Sequence, residues 1–441
     1  MIHFVPRPRG CDTAIASLCV LALLPVAVRA ADESEWSIFV GASHTDNLEL
    51  ASANQRSDIQ PEAGFNWIFR DKRQRLDTAL AANLAYKGYP SQGFFNNRKP
   101  DSLTGAADLS LQASVIPDRF LWMLAETFGQ TAVDLSSPSS PSNRQNTNVL
   151  STGPRFMWPL GARSELQLDA VWFTSDFGAS RSDSSGYKAT AALKHRTSQV
   201  GALSFQVSES RINAASQQAN GDYKLHSASF SWNKVTKRTS LSTELGYSDL
   251  AVRGTNQRSP LVKVTFSRKL STRSSISATV AREFSSAAEA FQANQNFFGV
   301  TGTLVSGQST AEPFRADFGQ ISWTAQGSLI EFSVQARLRR ETYESSPNLN
   351  ARFYGVGITA DRALSSRLRI GVHAQHDRRQ FNAQLTPSRE QRLGADVTFA
   401  SSSTVSVTFG YEHFSGNGFG GRDYVENREL LRIAYRPRSG T

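Results

Sequence analysis

From about residue 33 onward the chain repeats a single pattern, apolar residues alternating with polar ones, in stretches of about 10–14 residues. Ser275-Ile276-Ser277-Ala278-Thr279-Val280 alternates hydroxyls with apolar side chains. Ile330, Phe332, Val334, Ala336 and Leu338 share one face, and Glu331, Ser333, Gln335, Arg337 and Arg339 share the other. Leu368, Ile370, Val372 and Ala374 stand in the same way against Arg369, His373, Gln375 and Asp377. A helix would bring apolar residues back every three or four positions, so period two specifies strands.

Alternation alone fits a soluble sandwich as well as a closed barrel. Length separates them, because soluble strands average about 5–6 residues whereas these are long enough for a tilted strand to cross a bilayer. About 20 such strands in an open two-layer sheet would leave long unpaired edges, and closure removes them. The connections point the same way. Short turns are expected at Arg70–Gln74, Ile116–Arg119, Pro159–Arg163, Thr197–Gly201, Lys234–Arg238, Leu270–Ser274, Gln326–Ser328, Arg362–Ser366 and Ser401–Ser403. Longer polar loops, expected in strict alternation with them, include Asp134–Asn148, Ile212–Asn220, Glu344–Asn350 and Gly416–Asp423.

Short periplasmic turns on one rim and long extracellular loops on the other are how outer-membrane barrels are built. The expected fold is therefore all-β, a transmembrane antiparallel up-and-down barrel of about 20 strands, with 18 to 22 as the range. Ala287–Pro313 sets the upper bound: it is either one long loop or contains a further hairpin at Phe297–Val305. As a long loop it is expected to fold inward and narrow the channel.

The first thirty residues read as a signal peptide, leaving 31–441 as the barrel. Arg7 and Arg9 precede an apolar stretch from Ala14 to Val28, and Val28-Arg29-Ala30 puts small residues at −3 and −1 of a cleavage site before Ala31. The stretch is broken by Pro25 and is short for a membrane anchor of about 20 residues. Leu18 before Cys19 is unlike a lipidation site. Both cysteines, Cys11 and Cys19, fall in this segment, so the mature chain has no disulfide and no thiolate chemistry.

Removing the segment takes the net charge from +10 to +8. The charges are scattered, with no basic run and no aromatic-basic platform, which argues against nucleic acid. No mature stretch is apolar enough to be a transmembrane helix, so membrane entry requires a closed barrel.

No catalytic or metal constellation stands out, and no cofactor is expected. Gly416-Asn417-Gly418-Phe419-Gly420-Gly421 matches a dinucleotide motif, but a strand and not a helix is expected after it. His373 and His376 are three apart on a strand and point to opposite faces. The informative residues are those of the polar face: Lys263, Lys269, Glu331, Arg337, Arg339, Arg369, Asp377, Arg392, Asp396 and Arg432, as candidate lumen-lining positions. They read either as cross-strand ion pairs or as a hydrated charged pore. Basic residues dominate the late strands, and Arg337, Arg339, Arg369 and Arg392 in particular favour small anionic solutes or an acidic glycan.

His44-Thr45-Asp46-Asn47-Leu48, Ser57-Asp58, Pro61 and Gly64 near the start, and Glu426-Asn427-Arg428 with Leu431, Ile433 and Tyr435 at the end, carry a resemblance. They resemble the outer-membrane β-barrel porins associated with exopolysaccharide and exosortase systems. Such barrels usually end on an aromatic residue, whereas Pro437-Arg438-Ser439-Gly440-Thr441 follows Tyr435 here. The resemblance implies a porin-like channel in the outer membrane of a Gram-negative bacterium, among lipid and lipopolysaccharide. It also implies service to export or surface assembly of a polysaccharide, with secretion proteins as partners. A non-conducting barrel acting as an assembly partner is the alternative, and an outer-membrane hydrolase the third reading.

Overall fold

The computed structural model describes residues 33–90, 103–178, 183–214, 222–252, 254–295, 312–384, 386–419 and 422–437. The segment before Ala31 and the expected Phe297–Val305 hairpin lie outside them.

The described chain forms twenty strands and one α-helix. The first ten strands are β1 (Glu33–Thr45), β2 (Asp58–Lys72), β3 (Leu76–Lys87), β4 (Leu103–Ile116), β5 (Phe120–Ala132), β6 (Arg144–Pro159), β7 (Ser164–Phe177), β8 (Ser184–Arg196), β9 (Gly201–Ala214) and β10 (Tyr223–Val235). Then come β11 (Thr239–Val252), β12 (Thr255–Ser271), β13 (Ser274–Ser285), the helix α1 (Ala287–Gln295), β14 (Phe314–Gln326), β15 (Ile330–Thr342) and β16 (Ala351–Ala363). The last four are β17 (Leu368–Phe381), β18 (Ser388–Ala400), β19 (Val405–Phe419) and β20 (Arg422–Tyr435).

Each strand pairs antiparallel with the next, and β1 pairs with β20 from Ile38 opposite Tyr435 to Thr45 opposite Arg428. The ring therefore closes, and no strand is left with an unpaired edge. Tyr435 is the final strand residue, and its ring meets Trp36 edge-on at 6.4 Å across the closure.

One rim carries nine connections of two to four residues, as at 117–119, 272–273 and 401–404. The other carries the long ones, but the alternation is not strict: 253–254 and 420–421 are two-residue connections on that rim. The expected Gly416–Asp423 loop is mostly strand. Its glycines read as loop signals, yet Gly416 faces the Tyr424 ring so closely that a Cβ there would collide with it. Gly418, at φ +78°, takes up a register shift in the ladder. Asp134–Asn148 is likewise shortened, because β6 begins at Arg144 and its polar residues Gln145 and Thr147 are fully buried inward.

Alternation along these strands sorts the side chains by face. Val40, Leu393, Phe409 and Leu431 point outward and are 52–58% exposed, since nothing among the described residues covers them. On β17, Leu368 stands opposite Phe399 and Arg378 opposite Tyr354, ten residues further on. At ~3.3 Å per residue and a tilt of about 40°, this is about 25 Å, the height of a lipid-facing apolar band. Trp36, Trp122, Trp158, Trp232 and Trp323 are exposed near the short-turn ends of their strands. Tyr86, Tyr187 and Tyr354 are exposed toward the opposite rim. Amphipathic rings at both borders of an apolar band are what a membrane interface favours.

Candidate functional site

Inward positions differ sharply between the two ends of the barrel. At the long-loop end Thr45, Gln145, Thr147, Glu341, Tyr343, Ser388 and Glu426 are almost wholly buried. From the middle of the barrel, at Lys263, to the short-turn end, at Lys269, Glu331 and Arg369, these residues on the same inner face are exposed. The interior is thus filled at one end and accessible at the other.

Charge pairing organises the filled end. Arg337 Nη2 meets Asp377 Oδ1 at 3.1 Å, and Arg339 Nε meets Glu341 Oε1 at 2.8 Å. Arg379 pairs with Glu390 at 3.2 Å. Glu412 accepts from Arg392, lies 3.3 Å from His373 Nε2, and has Arg428 at 4.0 Å. Arg432 donates to Glu62 from Nε at 2.9 Å, and Lys87 approaches the same carboxylate at 3.4 Å. Side chains this close in a water-poor interior hold one another in place, because either charge left alone there would be costly. The guanidinium groups of Arg392 and Arg428 both lie 5.0 Å from the Phe414 ring.

All ten candidate residues lie on the inner face, but the structure divides them. Arg337, Arg339, Asp377, Arg392 and Arg432 belong to the paired network. Lys263, Lys269 and Arg369 have no ion-pair partner among the described residues, and Glu331 accepts only from Gln326. Asp396 lies across Gly371 from Asp361, two carboxylates beside a position with no side chain. The late-strand arginines thus follow the ion-pair alternative for the most part. Arg337, Arg339 and Arg392 are neutralised by carboxylates, and Arg369 alone of the four lacks one.

Two segments fill the long-loop end. In α1, Phe291 is fully buried and packs with Ala288 against Val149 of β6, while Ala290 packs with Phe314 and Tyr343 from the β14–β15 side. Those walls stand eight or nine strands apart on a twenty-strand ring, so the helix sits within the bore. Its start is fixed by reciprocal capping. Ser286 Oγ accepts from Glu289 N at 3.2 Å, and Glu289 Oε2 accepts from Ser286 N at 3.0 Å. Ser286-Ala287-Ala288-Glu289 is the sequence signal for that cap, and it straddles the start of the expected loop.

The second segment is residues 133–143. Leu135 and Ala132 pack against Ala351, Phe353 and Phe381 on the opposite wall. Ser142 Oγ donates to Glu49 Oε2 at 2.6 Å, tying this segment to the β1–β2 loop. It is braced internally: Asp134 accepts from Ser136 and Ser137, and the Asn143 side chain donates to three backbone carbonyls. Partial burial pushes the Asp134 carboxyl up, but the hydrogen bonds from Ser136 and Ser137 outweigh it and hold the carboxyl below the usual aspartate range.

Ser164 Oγ and His195 Nδ1 lie 2.9 Å apart, the one close serine–histidine pair among the described residues. They are at the short-turn rim on the outward face, and no described carboxylate orients the ring. His373 and His376 fall on opposite faces of β17. No group of three or more metal-ligating side chains gathers among the described residues.

No family model matches the chain, and no curated protein matches it. Among solved structures it is similar to the siderophore receptor PirA from Acinetobacter baumannii, at 11% identity and a TM-score of 0.48, with 92% of this chain and 81% of that one covered. It is also similar to the FrpB iron transporter from Neisseria meningitidis, at 10% identity and a TM-score of 0.43, covering 93% and 82%. A mutant of the ferric enterobactin receptor PfeA from Pseudomonas aeruginosa gives 10% and 0.42, covering 92% and 80%.

Proposed function

We propose that the chain is a gated outer-membrane channel of a Gram-negative bacterium, exported by cleavage near Ala30 and closed at its extracellular mouth by α1 and residues 133–143. The observation that carries this is the contrast along the bore. Inner-face residues at the long-loop end are almost all buried, whereas toward the short-turn end most are partly or fully exposed, with Gln167 and Ala192 among the exceptions. Two inward segments produce that contrast, and neither is part of the barrel wall, so either can leave without breaking the ladder. The outward apolar band and its bordering tryptophans support the membrane setting.

Lys263 and Lys269 give one side of the open vestibule positive charge without an ion-pair partner among the described residues, while Arg369 stands near Asp396; the two lysines favour small anionic solutes or an acidic glycan on that side. Service to polysaccharide export, with secretion proteins as partners, is supported by the resemblance near the two ends of the chain alone. Among the described residues the inner-face charges pair with one another or line open space, and this arrangement supports transport as the reading. Single-channel recording on protein lacking α1, or with residues 133–143 replaced by a two-residue turn, tests the gate: conductance should rise in both variants, and unchanged conductance would remove the segments from that role.

A further inference from the structure

Four arginines stand on the outward face just beyond the apolar band, at the long-loop ends of adjacent strands. They are Arg340 on β15, Arg352 on β16, Arg378 on β17 and Arg389 on β18, and all four are exposed. Arg340 is directly opposite Arg352, and Arg378 is directly opposite Arg389. Facing residues of an antiparallel pair are about 5 Å apart, and like charges so placed destabilise the ladder. None of the four side chains has an ion-pair or hydrogen-bond partner among the described residues. Asp317, opposite Arg340 on the neighbouring strand, is engaged by Arg282.

The surroundings favour the headgroup of a lipid. Arg340 lies two positions beyond Leu338, which is 51% exposed, and Arg389 lies four before Leu393, 52% exposed. Tyr354 faces outward directly opposite Arg378. Beside the last two arginines is a cleft of about 520 Å³ lined by His376, Arg378, Arg389, Gln391, Asn417 and the carboxylate of Asp423. Guanidinium groups bind phosphate in a bidentate fashion, and the amides and imidazole offer hydrogen bonds to sugar hydroxyls.

We propose that this patch binds the phosphorylated disaccharide headgroup of an outer-leaflet glycolipid, its acyl chains lying along the apolar band below. The proposal rests on the outer-membrane orientation given above, with the long loops outside. Phosphate would supply the negative charge that two facing arginine pairs lack.

The test compares wild type with R340Q/R352Q/R378Q/R389Q in detergent, with diphosphorylated lipid A as the probe and native mass spectrometry as the readout. Heat-modified gel mobility checks that each barrel is closed. Wild type should retain lipid A, and the variant should bind it at least tenfold more weakly. The variant should also unfold at no lower temperature than wild type without lipid A, because it relieves like-charge repulsion. Equal retention by the two proteins would overturn the proposal. Equal competition by phosphatidylglycerol would overturn its restriction to a glycolipid. Channel conductance, measured separately in phosphatidylcholine bilayers, should be the same in both proteins. A failure of lipid A binding with conductance intact therefore removes this site alone, whereas absence of conductance removes the channel reading.

Discussion

Asp46 and Asn427, 381 residues apart in sequence, are joined by two hydrogen bonds of 2.7 Å: Asn427 Nδ2 donates to Asp46 Oδ2, and Asn427 N donates to Asp46 Oδ1. Around them Thr45 Oγ1 donates to Glu426 Oε1 at 2.6 Å, and Asn47 Nδ2 donates to the Val425 carbonyl at 2.9 Å. These are the residues on which the resemblance rests, and they clasp the first strand to the last. The shared motif is thus a device for closing the ring and says little about what crosses it.

The clasp sets a stability prediction. Asp46→Ala removes both acceptors at once and should cost about 1–3 kcal/mol, as expected for bonds to a charged group. Asn427→Ala keeps its backbone donor to Asp46 but also removes the acceptor of Tyr411 Oη and His413 Nδ1, and should cost at least as much. Denaturant unfolding in lipid vesicles measures both, and a cost well below that of Asp46→Ala would mean that these two further bonds contribute nothing.

The apolar band sets a second. Val334 is the central outward residue between Ile330 and Leu338 on β15, and Ser333 beside it faces inward opposite Thr324 and Thr359. Val334→Arg should cost about 2–4 kcal/mol near the bilayer midplane, whereas Ser333→Arg should be tolerated. Vesicle unfolding of the two neighbours checks this, and equal tolerance would reverse the faces.

A third prediction separates free from paired charge in the bore. Arg369→Gln, Lys263→Gln and Lys269→Gln should each lower anion preference, and that preference should fade with salt as the Debye length shrinks below about 10 Å. Arg337→Gln should act otherwise. Its side chain and that of Asp377 are 12% and 9% exposed, so removing one partner leaves a buried carboxylate and should cost about 3 kcal/mol of stability. Reversal potentials across a salt gradient distinguish them, and an equal shift for Arg337→Gln would place it in the conducting path.

Much of the wall was legible because strand period, face and turn chemistry are local properties. Ile330 to Leu338 announced their face, and nine short turns announced the count. What lay beyond reading was which inner-face groups meet. Nothing near Arg339 in sequence says that its neighbour Glu341, and not solvent, takes its charge, because both are merely alternate inward residues of β15. Nothing near Phe291 says that Val149 receives it. Gly416 misled for a local reason: a glycine that admits a tyrosine ring in a strand looks the same as one that turns a loop. The capping pair Ser286 and Glu289 was a readable helix start, hidden only by the assumption that a polar stretch between strands has no structure of its own.

The gate is tested most directly by single-channel recording in planar bilayers on three proteins: wild type, a variant lacking residues 287–295, and one in which 133–143 is also replaced by a short Asn-Gly turn, since Ala132 and Arg144 face each other in the ladder. Wild type should give small or infrequent anion-preferring steps, the single deletion larger ones, and the double deletion the largest. Closed barrels that give no conductance with both segments removed would contradict the channel and leave a plugged, partner-binding barrel in its place.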